Sequence, residues 1–432
     1  MKTTYKMLLS TGAILAIAML AAGPSMAETV RMWTFLKPEG TSPREQALAK
    51  IIKDFEAANP DINIVVEPQV WDQMSPKFLA AHANGSAPDI IWVVTDFLGD
   101  AIGSGSLVDL NEVFINKWPE EKKAAFKDAY WNLTSVDGKQ YGLFASRNYI
   151  AVMYRPDLFK KAGIAPESIK SWDDFRNVAE KLTTKDASGN VSRYGFAAAF
   201  GEQQADPNPL VPRTLGSGEH LFKDDGAANF TSPATVQAAE YLADLVKDGI
   251  SPAQSASWTV DDLIEQFVSG RVAMVQGAAV RVTTLQDKLG KDKVAFMLWP
   301  SSNGKTPDPA VMAGWSVGIW SGSKVQASAG KFVDYMLSEP GDAIWTTVGG
   351  QIPGMQTNLV TLQDFLKEPG NEFFSVAAKG SSEAGWLTPI NIPVGGYRQE
   401  LNKAMQHIIV DKAEPRAALK EAEEAFNRQH GL

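Results

Sequence analysis

Four histidines, His82, His220, His407 and His430, lie far apart in the chain, and none has a second histidine at ligand spacing, so no metal site is expected. Gly304-Lys305-Thr306 mimics the end of a phosphate-binding loop, yet Trp299 stands where that loop needs its first glycine. Ser321 and Lys324 fit the S-x-x-K spacing of an acylating serine but have no companion motif. Asp173-Asp174 and Asp261-Asp262 offer paired carboxylates for glycosidase chemistry. Each pair, however, falls in the first turn of an expected helix, where the helix dipole favours acids. Neither an enzyme nor a cofactor requirement is expected.

Tryptophan is more informative. Trp33, Trp71, Trp92, Trp258, Trp315 and Trp386 fall at or near expected strand ends or loops. Indole faces suit the C–H faces of sugar rings, and neighbouring Asp, Asn, Gln and Arg side chains can bond hydroxyls. For each ring taken singly, core packing is the competing role.

The elements that must position these residues follow an α/β rhythm. Residues 29–35 read as a strand, 41–60 as a helix capped by Ser42 with Pro43 in its first turn, and 62–68 as a second strand. A helix over 72–83 precedes the continuous apolar strand 88–94, which suits a parallel sheet covered on both faces. The rhythm restarts with the extended stretch 141–154, helices over 171–182, 232–249 and 261–269, a short strand at 272–274, a strand at 313–320 and a helix over 323–340 ended by Pro340. Two helices separated by 411–415 close the chain. The strand at 272–274 runs into Gln276-Gly277-Ala278-Ala279. In open α/β sheets ligands sit beyond strand carboxyl ends, so bare backbone there reads as space cleared for a ligand; a tight turn that needs glycine is the alternative.

Bulk properties bound the answer. Lys2, Lys6, an apolar stretch from Met7 to Ala22 and Ser25-Met26-Ala27 read as a signal peptide cleaved near Ala27, which implies export to the periplasm. The 432 residues contain no cysteine, so neither disulfides nor a lipid-modified cysteine is expected. The net charge is −9; without Lys2 and Lys6 the 39 basic against 50 acidic residues give −11. Such a chain is a poor partner for nucleic acid or anionic membrane, and no later run is suited to membrane insertion. About 400 mature residues exceed one ordinary core and suggest two lobes.

Several stretches together resemble the extracellular (periplasmic) solute-binding proteins of ABC-type carbohydrate importers, in the maltose-binding-protein-like branch. They are FEAANPDINIVVEP (55–68), ANGSAPDIIWV (83–93), GSLVDLNE (105–112), DGKQYGLFASRNYIAVMYRPDLFKKAGI (137–164), SWDDF (171–175), FVSGRVAMVQG (267–277) and GGQIPG (349–354). The resemblance implies a two-lobed α/β fold (type II), each lobe a sheet flanked by helices, with a ligand cleft between them. Residues 28–146 plus 316–355 would form lobe one and 147–313 plus 356–432 lobe two, with hinge segments near 141–154, 313–320 and 353–360. It implies a monomer that captures a sugar or polyol by lobe closure and delivers it to the transmembrane permease of an ABC importer.

Carried over position by position, the resemblance places Asp96, Asn148 and Gln276 on ligand hydroxyls, with Phe35, Glu39, Trp71, Gly314, Trp315 and Tyr397 around them and Arg398 adjacent. Trp258 and Trp386 complete the candidate set. The sequence departs from the maltose-binding pattern: Phe97 follows Asp96, Asn148 replaces a glutamate, and Ala279 replaces a tryptophan. A smaller or differently linked sugar is therefore open. So is an anionic solute such as a sugar phosphate or glycerol phosphodiester, paired with Arg147, Arg281 or Arg398.

Overall fold

The computed structural model describes residues 27–71, 73–126, 129–201, 209–355, 357–390 and 394–432; the expected leader up to residue 26 lies outside them. Strands β1 (Glu28–Thr34), β2 (Ile62–Pro68) and β3 (Ile90–Val94) form a parallel trio with β1 in the middle. The IIWVV run of β3 is almost wholly buried, as its unbroken apolar character requires. Helix Pro43–Ala58 connects β1 to β2. Ser42 and Glu45 close its first turn as a reciprocal capping box, and Leu48, Ile51, Ile52 and Phe55 bury one face.

The later strands are β4 (Leu143–Tyr154), β5 (Val191–Ala197), β6 (Val272–Ala278), β7 (Ala295–Met297) and β8 (Ala310–Ile319). The sheet runs β2-β1-β3-β8-β4-β6-β5 and ends on the two-residue strand Thr184–Lys185; β7 lies beside β4, and Gly385–Trp386 beside β8.

β4 is the member shared by both halves. Its first part, through Tyr149, runs antiparallel to β8, which continues antiparallel to β3. Its second part, Ile150–Tyr154, pairs antiparallel with β6, and Val152–Tyr154 also pair with β7. These registers fix a direction. β3 runs toward the junction because Val94 faces Trp315, and parallel β1 runs with it. β6 runs toward the same junction from the other side because Ala278 faces Ile150, and parallel β5 runs with it. Strand carboxyl ends of both halves therefore converge on the middle of β4 and β8.

The core cluster spans both halves, but Ile150, Ala278 and Val280 form a small separate group with Ala313 packed on it. That group sits at the junction.

Three expectations change. β6 continues beyond residue 274 through Gln276-Gly277-Ala278, so Gly277 lies within a strand. A Cβ there would stand 2.2 Å from Met153 Cε, so the glycine leaves room for a neighbouring side chain and does not form a turn. The helix expected over 323–340 is two helices, Gln326–Met336 and Glu339–Thr347. Ser338 caps the second, and Pro340 occupies its first turn, where the missing N–H is harmless. The helix expected over 72–83 runs Met74–Ala83.

Gly314 tests the tightness of the junction. A Cβ at this position would lie 2.1 Å from the Ser146 carbonyl oxygen, a backbone atom of the paired strand. Gly314→Ala is expected to lose about 1–3 kcal/mol in chemical denaturation; unchanged stability would contradict this packing.

Candidate functional site

On an antiparallel pair, residues directly opposite share a face. Trp315 faces Ser146, Ala313 faces Asn148, Ala278 faces Ile150 and Gln276 faces Val152. One face of the junction thus carries Trp315, Asn148 and Gln276 around the small side chains Ala313 and Ala278. The β8–β4 register shifts between Trp315 and Ser316, a local irregularity of the kind that re-aims a side chain beside a site.

The exit of β1 supplies the wall. The Phe35 ring lies 4.7 Å from that of Trp315 and meets Trp92 edge-on at 5.9 Å; Arg44 places its guanidinium 5.3 Å above Phe35. Beyond β3, Thr95 Oγ1 donates to the Gly314 carbonyl and accepts from the Gly314 N–H, both at 3.0 Å. The Gly314 backbone is therefore held by Thr95 on both its groups.

The other half supplies polar groups. Gln276 is 3% exposed, and its Oε1, like Asn148 Oδ1, is buried without a hydrogen-bond partner among the described residues. The exit of β5 is anchored where Gly201 donates to the Trp258 carbonyl at 2.9 Å, and Gln406 Nε2 donates to the Phe200 carbonyl at 2.7 Å. Helix Arg281–Leu289 starts immediately after β6 with no side-chain cap. Its Thr283 packs against Gly350, whose φ of +69° and close approach both favour glycine, so the two halves touch there.

The remaining sequence-named residues separate. Trp386 lines a recess of about 310 Å³ with His220, Phe222, Lys223 and Pro389. Tyr397 is fully buried and edge-on to Phe222 at 5.3 Å, so its ring is a core element, with Arg398 beside it. Trp71 is 49% exposed and follows the end of β2, and Glu39 is exposed and follows the end of β1. The side chain of Asp96 lies outside the described residues. Of the other tryptophans, Trp92 is core, and Trp33 is buried and donates to Glu67 at 2.7 Å.

The charged candidates also sort by face. Arg147 alternates away from Asn148 and lies 4.9 Å from the Tyr130 ring, near Asp342. Burial pushes the Asp342 carboxyl up in pKa; donation from Asn358, Gly354 and Met355 and the charge of Arg147 oppose that rise. Arg147 therefore belongs to the structural support rather than to an anion site. Asp174 and Asp262 close capping boxes with Ser171 and Thr259, and those hydrogen bonds hold both carboxyls below the ordinary range. One acid of each pair is thus a helix cap, and Asp261 lies 3.5 Å from Arg281.

Sequence reasoning missed Arg44 and Thr95. The signal for Arg44 was a cation in the first turn of a helix, where the dipole disfavours it.

Two sheet halves that turn their strand ends toward one aromatic and amide-lined junction define a two-lobed ligand-binding protein of the α/β class. Residues 40–343 match the family of bacterial extracellular solute-binding proteins, and the chain belongs to that family. It is 25% identical over 382 residues, 86% of this chain and 87% of the relative, to a putative binding protein of Brucella abortus (strain 2308). It is 24% identical over 419 residues, 93% and 90% of the two chains, to the diacetylchitobiose binding protein of Streptomyces coelicolor. An ABC substrate-binding protein from Listeria monocytogenes, solved with cycloalternan, superposes with a TM-score of 0.78 at 21% identity, covering 94% of this chain and 100% of that one. Among the described residues no helix is long and apolar enough to cross a membrane.

An unpaired buried carbonyl costs about 1–3 kcal/mol. Gln276→Met, close in shape and without the amide, is therefore expected to leave the ligand-free protein as stable as wild type or more so, measured by urea denaturation. A loss above about 2 kcal/mol would show that the amide serves the fold.

Proposed function

We propose that this protein is an exported, periplasmic receptor that captures a sugar or polyol between its lobes and hands it to the permease of an ABC importer. The observation that carries this reading is the shared face at the junction, where the Trp315–Phe35 rings stand beside two buried amide oxygens without partners. Rings accept the apolar faces of a pyranose or furanose, and the amide oxygens accept hydroxyl protons that nothing else in the described structure supplies. The names of the relatives, with diacetylchitobiose and cycloalternan among their ligands, support the same ligand class.

In this reading 28–146 with 316–355 forms one lobe and 147–313 with 356–432 the other. The segments near 141–154, 313–320 and 353–360 flex as the lobes close. The closed form binds the ligand more tightly, and that difference drives closure. The protein works as a monomer and performs no chemistry on its ligand: Asp174 and Asp262 are occupied as caps, and Ser321 follows the end of β8 remote from the shared face.

A thermal-shift screen over mono-, di- and trisaccharides and polyols tests the reading, since a ligand at 100 times its Kd adds about 2.7 kcal/mol of stability. A positive hit should bind at least tenfold more weakly to Trp315→Leu, measured by calorimetry, with the circular dichroism spectrum unchanged. Wild-type affinity in that variant would remove the ring from the site. Sustained release of new reducing ends from an oligosaccharide would replace the receptor with an enzyme.

A further inference from the structure

β8 extends past the carboxyl end of β3. The last pair between them is Trp315 with Val94, and beyond it Thr95 holds both backbone groups of Gly314. Four residues before Gly314, Ala310 donates to the Ala384 carbonyl at 2.8 Å, and Gly385-Trp386 pairs in parallel with Ala310-Val311. Backbone groups alternate between the two edges of a strand, so residues 310 and 314 turn theirs the same way. Gly385-Trp386 therefore takes the place along β8 that β3 leaves.

Side chains alternate as well. Val311, Ala313 and Trp315 share one face of β8, and Trp386, the partner of Val311, lies on that face too. Trp386 and Trp315 thus stand on the shared face four β8 positions apart, about 13 Å along the strand. Between them comes Ala313, half-buried and opposite Asn148, whose methyl group keeps the surface low. Two indoles set side by side on one surface do not sandwich a single sugar ring; each offers its face to a different one.

The surroundings of Trp386 suit such a ring. The half-buried indole and Pro389 line the recess of about 310 Å³ with buried Leu221 and the exposed side chains of His220, Lys223 and Asp224. Among the described residues none of those three side chains is engaged in a hydrogen bond or ion pair. An aromatic wall with a few open polar groups at its rim is the composition of a sugar seat.

We propose that Trp386 and its recess form a second sugar seat in line with the Trp315–Phe35 platform, so that the captured ligand is a linear oligosaccharide of three or more units. One unit lies on Trp315, the next over Ala313 beside Asn148, and a third against Trp386. The inference rests on the sugar-capture reading and names the ligand class within it. Once the first unit is seated the others bind intramolecularly, so affinity rises with chain length until the recess is filled.

Calorimetric titration compares mono-, di- and trisaccharides in four series: glucose to maltotriose, xylose to xylotriose, mannose to mannotriose, and N-acetylglucosamine to triacetylchitotriose. In at least one series the trisaccharide should bind ten or more times tighter than the monosaccharide. Trp386→Ala should reduce that ratio at least tenfold with the circular dichroism spectrum unchanged. The double variant His220→Ala/Lys223→Ala, at exposed positions, should reduce it at least threefold and decides the matter if Trp386→Ala does not fold. If no series shows the preference, or the preference survives Trp386→Ala, the second seat is overturned while sugar capture stands on whichever sugar or polyol binds. If nothing in these series or in the wider screen binds, the sugar-capture reading fails and the second seat with it.

Discussion

The structure depends on the hydrogen-bonded pairing of β4 with β8. Each strand serves two sheet halves in succession, so their antiparallel register determines how every other strand meets the junction. Because β1 and β3 run toward it from one half and β5 and β6 from the other, the ends of four parallel-type strands face one another across a single line. Strand ends are where side-chain cover is thinnest and helices begin. Joining two such edges by continuous strands leaves one site with two walls.

That constraint also explains the use of small residues and clamps at the centre. Gly314 lies against the Ser146 carbonyl and is held on both backbone groups by Thr95, so β3, β8 and β4 come together without side-chain bulk between them. Ala278 and Ala313 keep the facing surface low, while Trp315 and Phe35 rise beside it. Hydrophobic burial elsewhere is ordinary. In the second half Trp172 and Trp299 stack at 5.6 Å, and each ring N–H reaches an acceptor, Asp308 or the Ile150 carbonyl. The Trp299 bond links that core directly to the middle of β4.

Much of the fold was legible because local signals agreed with the global one. Ser42 announced a helix start that the structure confirms as a capping box, and the helices expected over 171–182 and 261–269 open on further boxes at Ser171 and Thr259. The apolar run at 90–94 announced a central strand. Pro340 was misread because proline both follows helices and opens them, and the sequence offers no local sign of which. The strand was cut short before Gly277 because the neighbour that accounts for the glycine, Met153, is more than a hundred residues away, a contact visible only once strands are paired. The site was half legible. Trp315, Asn148 and Gln276 share a face by register, whereas Tyr397 is core and Trp71 is half exposed, distinctions set by which side of an element faces inward. Arg44 went unnoticed because its contact with the Phe35 ring forms only once the helix packs beside the exit of β1.

The central claim is that the two halves move together about β4 and β8 when a sugar enters. The chain has no native cysteine, so Gln46→Cys and Glu265→Cys, exposed positions on opposite halves, can carry a unique pair of spin labels. Pulsed electron-electron distance measurement with and without the tightest-binding sugar from the screen reads the motion directly. The account predicts a distance distribution that shortens and narrows when ligand is added. An identical distribution at saturating ligand would contradict it.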